Sequence, residues 1–341
     1  MRTLVVSDFH LGTRLRHDVL LYPEPLERLL TQLDNVDRLV LLGDIVELLE
    51  GRPGPVMVLA APVLRAIGAR LGPEGEIVLV PGNHDALLVR DWVVRMGGAL
   101  GLDSIIPPDA SPLLAHVVSL LAPARVRVHY PGVWLSGTVW ATHGHYLDRH
   151  LLPESTFGIT RGLLGRLPRD GASPVDYESA GGPSLTRFEA LMTRWLPRPL
   201  AAMFEDLADL VRAATMPRVP TNLLPRDMAP LTSVLLGLQM RRASLPALAR
   251  VVHRLGVSAE WVVFGHVHRL GPLPGDDPLR WQGPGGSPRM ANTGCWLYEP
   301  RLLHRGRPPH PYWPGGAVLI EPGRAPRALG LLDGLDPGAL H

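Results

Sequence analysis

Five short polar motifs, each standing at the end of an apolar run, constrain this chain more than anything else in it. They are Ser7-Asp8-Phe9-His10, Gly43-Asp44-Ile45-Val46-Glu47, Gly82-Asn83-His84-Asp85, Thr142-His143-Gly144-His145 and Gly265-His266-Val267-His268. The runs before them are Leu4–Val6, Leu39–Leu42, Ile77–Val80, Val139–Ala141 and Trp261–Phe264. Each run is short, β-branched or bulky, and stopped by a turn residue, so each reads as a buried strand rather than a helix. Positions just past the carboxyl ends of strands are where an α/β sheet offers ligands to an ion or substrate. Asp, Asn and His are the oxygen and nitrogen donors of a metal centre.

The 341 residues leave room for one large domain or two modest ones, and 46% hydrophobic residues supply a substantial core. All 34 basic residues are Arg. Without Lys, a Walker-type phosphate loop and a Schiff-base lysine are both excluded. The net charge is only +2. Arg is interleaved with acids, as in Arg187/Glu189 and Glu205/Asp206/Arg212, so the clustered positive charge of a nucleic-acid footprint is missing. The single Cys295 excludes an internal disulfide and a thiolate cluster, and reads as a small buried residue. The first strand and the Asp8 motif begin within ten residues of Met1, so no signal peptide is expected. Pro112–Ala124 and Met228–Met240 read as the longest apolar stretches, at about thirteen residues, too short for a membrane span. A soluble, cytoplasmic protein of a reducing compartment is expected, with peripheral contact to a membrane surface left open.

Up to Gly101 strand and helix alternate, with helices expected over Glu24–Leu33, Val56–Leu71 and Ala86–Met96. This alternation predicts a largely parallel sheet with crossover helices. Residues 125–142 change character: Arg125–His129 alternates, Tyr130-Pro131-Gly132-Val133 breaks it and two more short runs follow, which reads as a hairpin-like antiparallel stretch. Residues 146–256 lack strand signals and form a helical insertion. Helical spacing marks 185–196, Leu200–Val211, 229–242 and 246–255. The insertion is bracketed by two ligand motifs, so it must emerge beside the site as a cap. Further strands are expected near 290–294 and 316–321, and residues 326–341 read as a loose tail.

In extended backbone, side chains at i and i+2 point to the same side. Asp8 with His10, and His266 with His268, can therefore each grip one ion. Asp44 offers two carboxylate oxygens to bridge two cations, Asn83 an amide oxygen and His143 an imidazole. Seven ligands exceed what one transition-metal ion takes, so a dinuclear site is the economical count. Two cations roughly 3.5–4 Å apart lower the pKa of a bridging water toward 7 and clamp attacking and leaving oxygens. Hydrolysis of a phosphate ester or anhydride by a bridging hydroxide follows. His84 is assigned to the leaving oxygen, oriented by Asp85. Glu47 reads as an acceptor for a ligand imidazole. Arg14 and Arg16 either hold phosphate oxygens or are ordinary surface residues, and His145 either touches phosphate or caps its strand. The histidines at 17, 116, 129, 150, 253, 304, 310 and 341 read as structural or exposed.

Taken together, the motifs resemble the calcineurin-like metallophosphoesterase superfamily. Its Asp-x-His, Gly-Asp-x-x-Asp/Glu, Gly-Asn-His-Asp/Glu, lone His and Gly-His-x-His are matched by Asp8/His10, Asp44/Glu47, Asn83/His84/Asp85, His143 and His266/His268. The resemblance covers roughly 1–145 and 257–321. It implies an α/β fold, a four-layer αββα sandwich, whose catalytic domain would comprise 1–145 and 257–325. It also implies two divalent metal ions, Mn²⁺ first and Fe or Zn as alternatives, and a small-molecule or lipid-linked phosphate substrate. Ser-Asp-x-His-Leu-Gly and Gly-Asp-x-x-Glu resemble the UDP-diacylglucosamine pyrophosphatase branch, which has Arg where this chain has His84. A DNA nuclease of the superfamily would want a basic groove, which the mixed charges of the insertion oppose. A silent binding scaffold would show lost ligands, and none is missing. A zinc protease would need His-Glu-x-x-His, which is absent.

Overall fold

The computed structural model describes residues 1–13, 17–49, 51–150, 168–179, 244–298, 303 and 306–340. Within them the chain forms β1 (Thr3–Val6), α1 (Pro23–Leu33), β2 (Arg38–Leu41), α2 (Pro53–Leu71), β3 (Glu76–Leu79), α3 (Arg90–Met96), β4 (Ser104–Ile106), α4 (Pro112–Leu120), β5 (Arg125–Tyr130), β6 (Gly132–Trp134) and β7 (Val139–Thr142). There follow α5 (Pro174–Ser179), helical residues 244–254 as α6, β8 (Trp261–Phe264), β9 (Arg289–Asn292), β10 (Gly316–Ile320) and β11 (Arg327–Gly330).

Two sheets carry these strands. The first runs β11-β10-β1-β2-β3-β5-β4 and the second β6-β7-β8-β9. The period of two within each run assigns its residues to layers. Leu4, Val6, Leu39, Leu41, Ile77 and Leu79 face the helices outside the first sheet. Val5, Val40, Val78 and Val80 face the other way, against Val133, Ala141, Val263 and Ala291 of the second sheet. Trp140, Val262, Phe264 and Met290 point outward again, onto Ala247, Leu248, Val251 and Val252 of α6. Helix, sheet, sheet and helix thus stack as an αββα sandwich. Strands buried on both faces need no polar alternate, which is why they read as unbroken apolar runs. Each buried Leu, Val or Ile contributes about 1.5–3 kcal/mol relative to exposure.

Local signals set the helices. Pro opens α1, α2 and α4 in the first turn, where its missing N–H costs nothing. Ser111 caps α4 by accepting from Leu114 N–H at 3.1 Å. Gly72 ends α2 at φ +67°.

Four expectations need correcting. Within 125–142 only β6 and β7 pair as an antiparallel hairpin, in the second sheet; β5 pairs parallel with β3 in the first, and the chain crosses between the sheets at Tyr130-Pro131. The reason is that both flanking runs are buried on different sheets, so the break is a change of layer. Residues 326–341 are not a loose tail, because β11 pairs with β10 and Leu332 and Leu340 are buried in the first core. The 246–255 pattern belongs to α6, which forms the outer layer of the second sheet. The patterns at 185–196, 200–211 and 229–242 lie outside the described residues. Finally α2, at 19 residues, is long and apolar enough to cross a membrane by length and composition. Its Ala60, Leu64 and Ile67 are instead buried in the core, against the first sheet.

Candidate metal centre

The loops that follow β1, β2 and β3 meet those that follow β7 and β8 between the two sheets. Asp8 N–H donates to Gly43 O at 3.0 Å and His10 N–H to Asp44 O at 2.8 Å, so the first two loops run side by side. Gly265 N–H donates to His143 O at 2.9 Å and ties the other pair. Asp8, His10, Asp44, His266 and His268 all have positive φ, between +47° and +66°, and they are the only non-glycine residues among those described that do. Left-handed backbone costs a non-glycine residue on the order of 1–3 kcal/mol, and such strain concentrates at functional sites. The neighbouring glycines permit close approach. A Cβ on Gly43 would enter the His143 ring, one on Gly82 would meet Asp44 and His143, and one on Gly265 would meet Ser7 and Asp8.

The side chains form three overlapping groups, Asp8/His10/His268, His10/Asp44/His84 and Asp44/His143/His266, each with donor atoms within 4.8 Å of one another. Asp44 Oδ2 lies 3.1 Å from His143 Nε2 and 3.7 Å from His10 Nε2, so one carboxylate stands between two clusters. Asp8 Oδ1 lies 3.3 Å from His268 Nε2. Asn83 Oδ1 lies 3.1 Å from His143 Nε2. All seven sequence-derived ligand candidates are therefore gathered in one place.

Buried polar atoms normally find partners. Asp8 Oδ1 and His10 Nε2 are buried without a hydrogen bond among the described residues, and they face each other at 3.9 Å. Their partners on the far side are all used. Asp8 Oδ2 accepts from Ser7 Oγ and from His266 N–H at 3.0 Å. His10 Nδ1–H donates to Glu47 Oε2 at 2.9 Å, and His143 Nδ1–H donates to the Leu42 carbonyl at 2.9 Å. Each of these imidazoles is fixed with its Nε2 lone pair toward the carboxylates, the arrangement a metal ligand needs. Two carboxylates, an amide oxygen and several imidazoles suit Mn, Fe or Zn. The residues present fit divalent cations.

Electrostatics follow from burial against charge. Burial raises the Asp44 carboxyl, but His143, His84 and His10 outweigh it and hold it well below the usual carboxylate range. Glu47 behaves likewise, burial opposed by His84 and His10, and falls to about 2. Burial lowers His143, but Asp44 and then Asp8 bring it up to about 9 in the metal-free protein. Asp85 is pushed up to about 6, by burial first and by the charge of Asp44 second.

Glu47 Oε2 also accepts from His84 Nδ1 at 2.7 Å, so the partner of His84 is Glu47 and not Asp85. Asp85 turns back into its own loop, accepting from Gly82 N–H at 2.5 Å and Ile45 N–H at 2.8 Å. The sequence offered two acids near His84, and the tight turn directs the adjacent one toward backbone. His145 lies with its ring 5.6 Å from that of His143 and its Nε2 3.4 Å from Tyr130 Oη. Arg14 and Arg16 lie outside the described residues. Sequence reasoning missed Asp148, whose Oδ1 is 2.8 Å from His266 Nε2, and Glu178, which accepts from Tyr130 and Tyr146 hydroxyls. Neither belongs to a spaced motif. The only available signal for Asp148 was its place five residues after His143.

The family model described as calcineurin-like phosphoesterase matches residues 1–167, a stretch that contains four of the five motifs. No curated protein matches the chain. Among solved structures, a cold-active protein-tyrosine phosphatase of a psychrophilic Shewanella is 14% identical. That match covers 96% of this chain and 80% of the other, with a TM-score of 0.29. A point mutant of a cold-active protein tyrosine phosphatase is 15% identical over 98% of this chain and 78% of the other, with a TM-score of 0.31. Scores at that level carry no weight beyond the statement itself. With the sandwich, the convergent acids and imidazoles, and the match over residues 1–167, that part of the chain is a calcineurin-like phosphoesterase domain, and the protein is a hydrolase of phosphoester bonds.

Proposed function

We propose that this hydrolase works through a dinuclear centre on a small or lipid-linked phosphate compound. The observation that carries the reading is the position of Asp44 Oδ2, 3.1 Å from His143 Nε2 and 3.7 Å from His10 Nε2. Asp8, His10 and His268 would hold one cation, and Asn83, His143 and His266 the other, with Asp44 shared. When bound, such cations neutralise phosphate oxygens and bring the pKa of a water toward 7. Two carboxylates leave a pair of divalent cations with net positive charge, which favours a phosphate dianion.

The remaining steps belong to the chain. His10 and His143 keep their lone pairs inward because Glu47 and the Leu42 carbonyl take their other ring protons. His84 donates Nδ1–H to Glu47, so Nε2 is the nitrogen that delivers a proton to the leaving oxygen. Glu47 stays ionised throughout the working range, since its carboxyl lies at about 2. It therefore stabilises the protonated form of His84.

Metal-stripped protein reloaded with Mn²⁺ tests the proposal. Two ions per chain, together with cation-dependent hydrolysis of p-nitrophenyl phosphate or its bis ester, are expected. Uptake of one ion or fewer overturns the dinuclear reading, and two ions without hydrolysis of either ester overturns the catalytic one.

A further inference from the structure

Asp148 lies in a short 3₁₀ turn, His145–His150, that follows the β7 motif. Its Oδ1 accepts a hydrogen bond from His266 Nε2 at 2.8 Å, across 118 residues of chain. We infer that Asp148 is a positioning residue for His266, holding that imidazole with its proton on Nε2 so that Nδ1 presents a lone pair toward Asp44 and His143. The inference rests on the dinuclear reading above and adds a residue that no motif of the family match carries.

A carboxylate can only accept, so the ring nitrogen facing it must be the donor. His266 brings a ring nitrogen within 4.8 Å of the donor atoms of Asp44 and His143, and with Nε2 given to Asp148 the nitrogen left to serve as a ligand is Nδ1. The backbone is fixed independently. His266 N–H donates to Asp8 Oδ2 at 3.0 Å, and the residue is held at φ +66°. With the main chain set by Asp8, ring rotation is the freedom that remains, and Asp148 removes it. The pattern repeats that of the other imidazoles: Glu47 takes the outer proton of His10, the Leu42 carbonyl that of His143, and Asp148 that of His266.

The turn that carries Asp148 is itself braced by α5. Tyr146 stacks on Tyr177 with ring centroids 4.7 Å apart and planes 11° from parallel. Tyr146 Oη donates to Glu178 at 2.7 Å, and His150 Nε2 lies 3.0 Å from Tyr177 Oη. Three contacts from one short helix thus fix the turn from behind, which gives α5 a place in the geometry of the site.

The test combines calorimetric Zn²⁺ titration of metal-free wild type, D148N and D148L with ¹H–¹⁵N spectra of the histidine rings. Wild type should show His266 protonated on Nε2. D148L should bind one of two ions about 10–100-fold more weakly and the other unchanged, and D148N, which keeps an acceptor oxygen, should lose less. A merely structural role would weaken both ions and lower the unfolding midpoint of the metal-free form, without a change of tautomer. Wild-type affinity for both ions in D148L, or a proton on Nδ1 in wild type, overturns the inference. If D148L does not fold, the wild-type tautomer and the D148N affinity decide it. A wild type that takes up fewer than two ions counts against the dinuclear reading instead.

Discussion

Replacing Gly43 with alanine should damage the centre without touching a ligand. Gly43 sits at φ +87°, and a Cβ there would enter the ring of His143. Two costs add. Left-handed backbone costs an alanine about 1–2 kcal/mol. Forcing an extra methyl into a packed site costs about 1–3 kcal/mol more. The sum, about 2–5 kcal/mol, is a large share of the roughly 5–15 kcal/mol that holds a domain folded. Gly72 supplies the control: it has φ +67° and nothing within 4 Å of an added Cβ, so Gly72→Ala carries the backbone cost alone. Urea unfolding of both metal-free variants should therefore place Gly43→Ala about 1–3 kcal/mol below Gly72→Ala. Metal analysis should show the loss of a cation in Gly43→Ala and none in Gly72→Ala, because only the former displaces His143. Equal destabilisation of the two, or full cation content in Gly43→Ala, would refute the steric account of this motif glycine.

Three further outcomes are expected. Glu47→Gln removes the charge shared by His10 and His84, and kcat/KM for p-nitrophenyl phosphate should fall about 10–100-fold; an unchanged value would remove Glu47 from the site. Leu332→Ala should cost about 2–5 kcal/mol by chemical denaturation if its side chain is core, whereas a loose tail would give a change within about 0.5 kcal/mol. In metal-stripped protein, His143 titrates at about 9 folded against 6.5 for an ordinary imidazole. Its stabilisation is complete below the lower value and is lost as pH rises through the upper one. Denaturation midpoints should thus fall between these limits in chelator, and saturating cation should abolish that slope by displacing the proton.

The ligand motifs were legible because their spacing and their glycines are local properties. Asp8 with His10 and His266 with His268 need only a two-residue step, and Gly43, Gly82 and Gly265 announce close approach. The stacking of two sheets was not readable from the residues alone. Tyr130-Pro131 looks the same whether it turns a hairpin or carries the chain between layers, and the difference lies in which distant strand each flank meets. Arg327–Gly330 lacks a strand pattern, since it is an edge strand held by pairing with β10 rather than by burial. Asp148, Tyr177 and Glu178 belong to no spaced motif, because their partners are set only by the folded turn. For Asp85, proximity in sequence suggested His84, and turn geometry directed it to amides instead.

Because β1, β2 and β3 supply four of the seven donors and β7 and β8 the other three, neither sheet alone holds a complete pocket. A slip of one residue in how the layers nest would leave every acid and imidazole present yet scattered. Cation uptake is thereby a readout of correct assembly. During folding, affinity should emerge abruptly and late, once the two halves have locked in register.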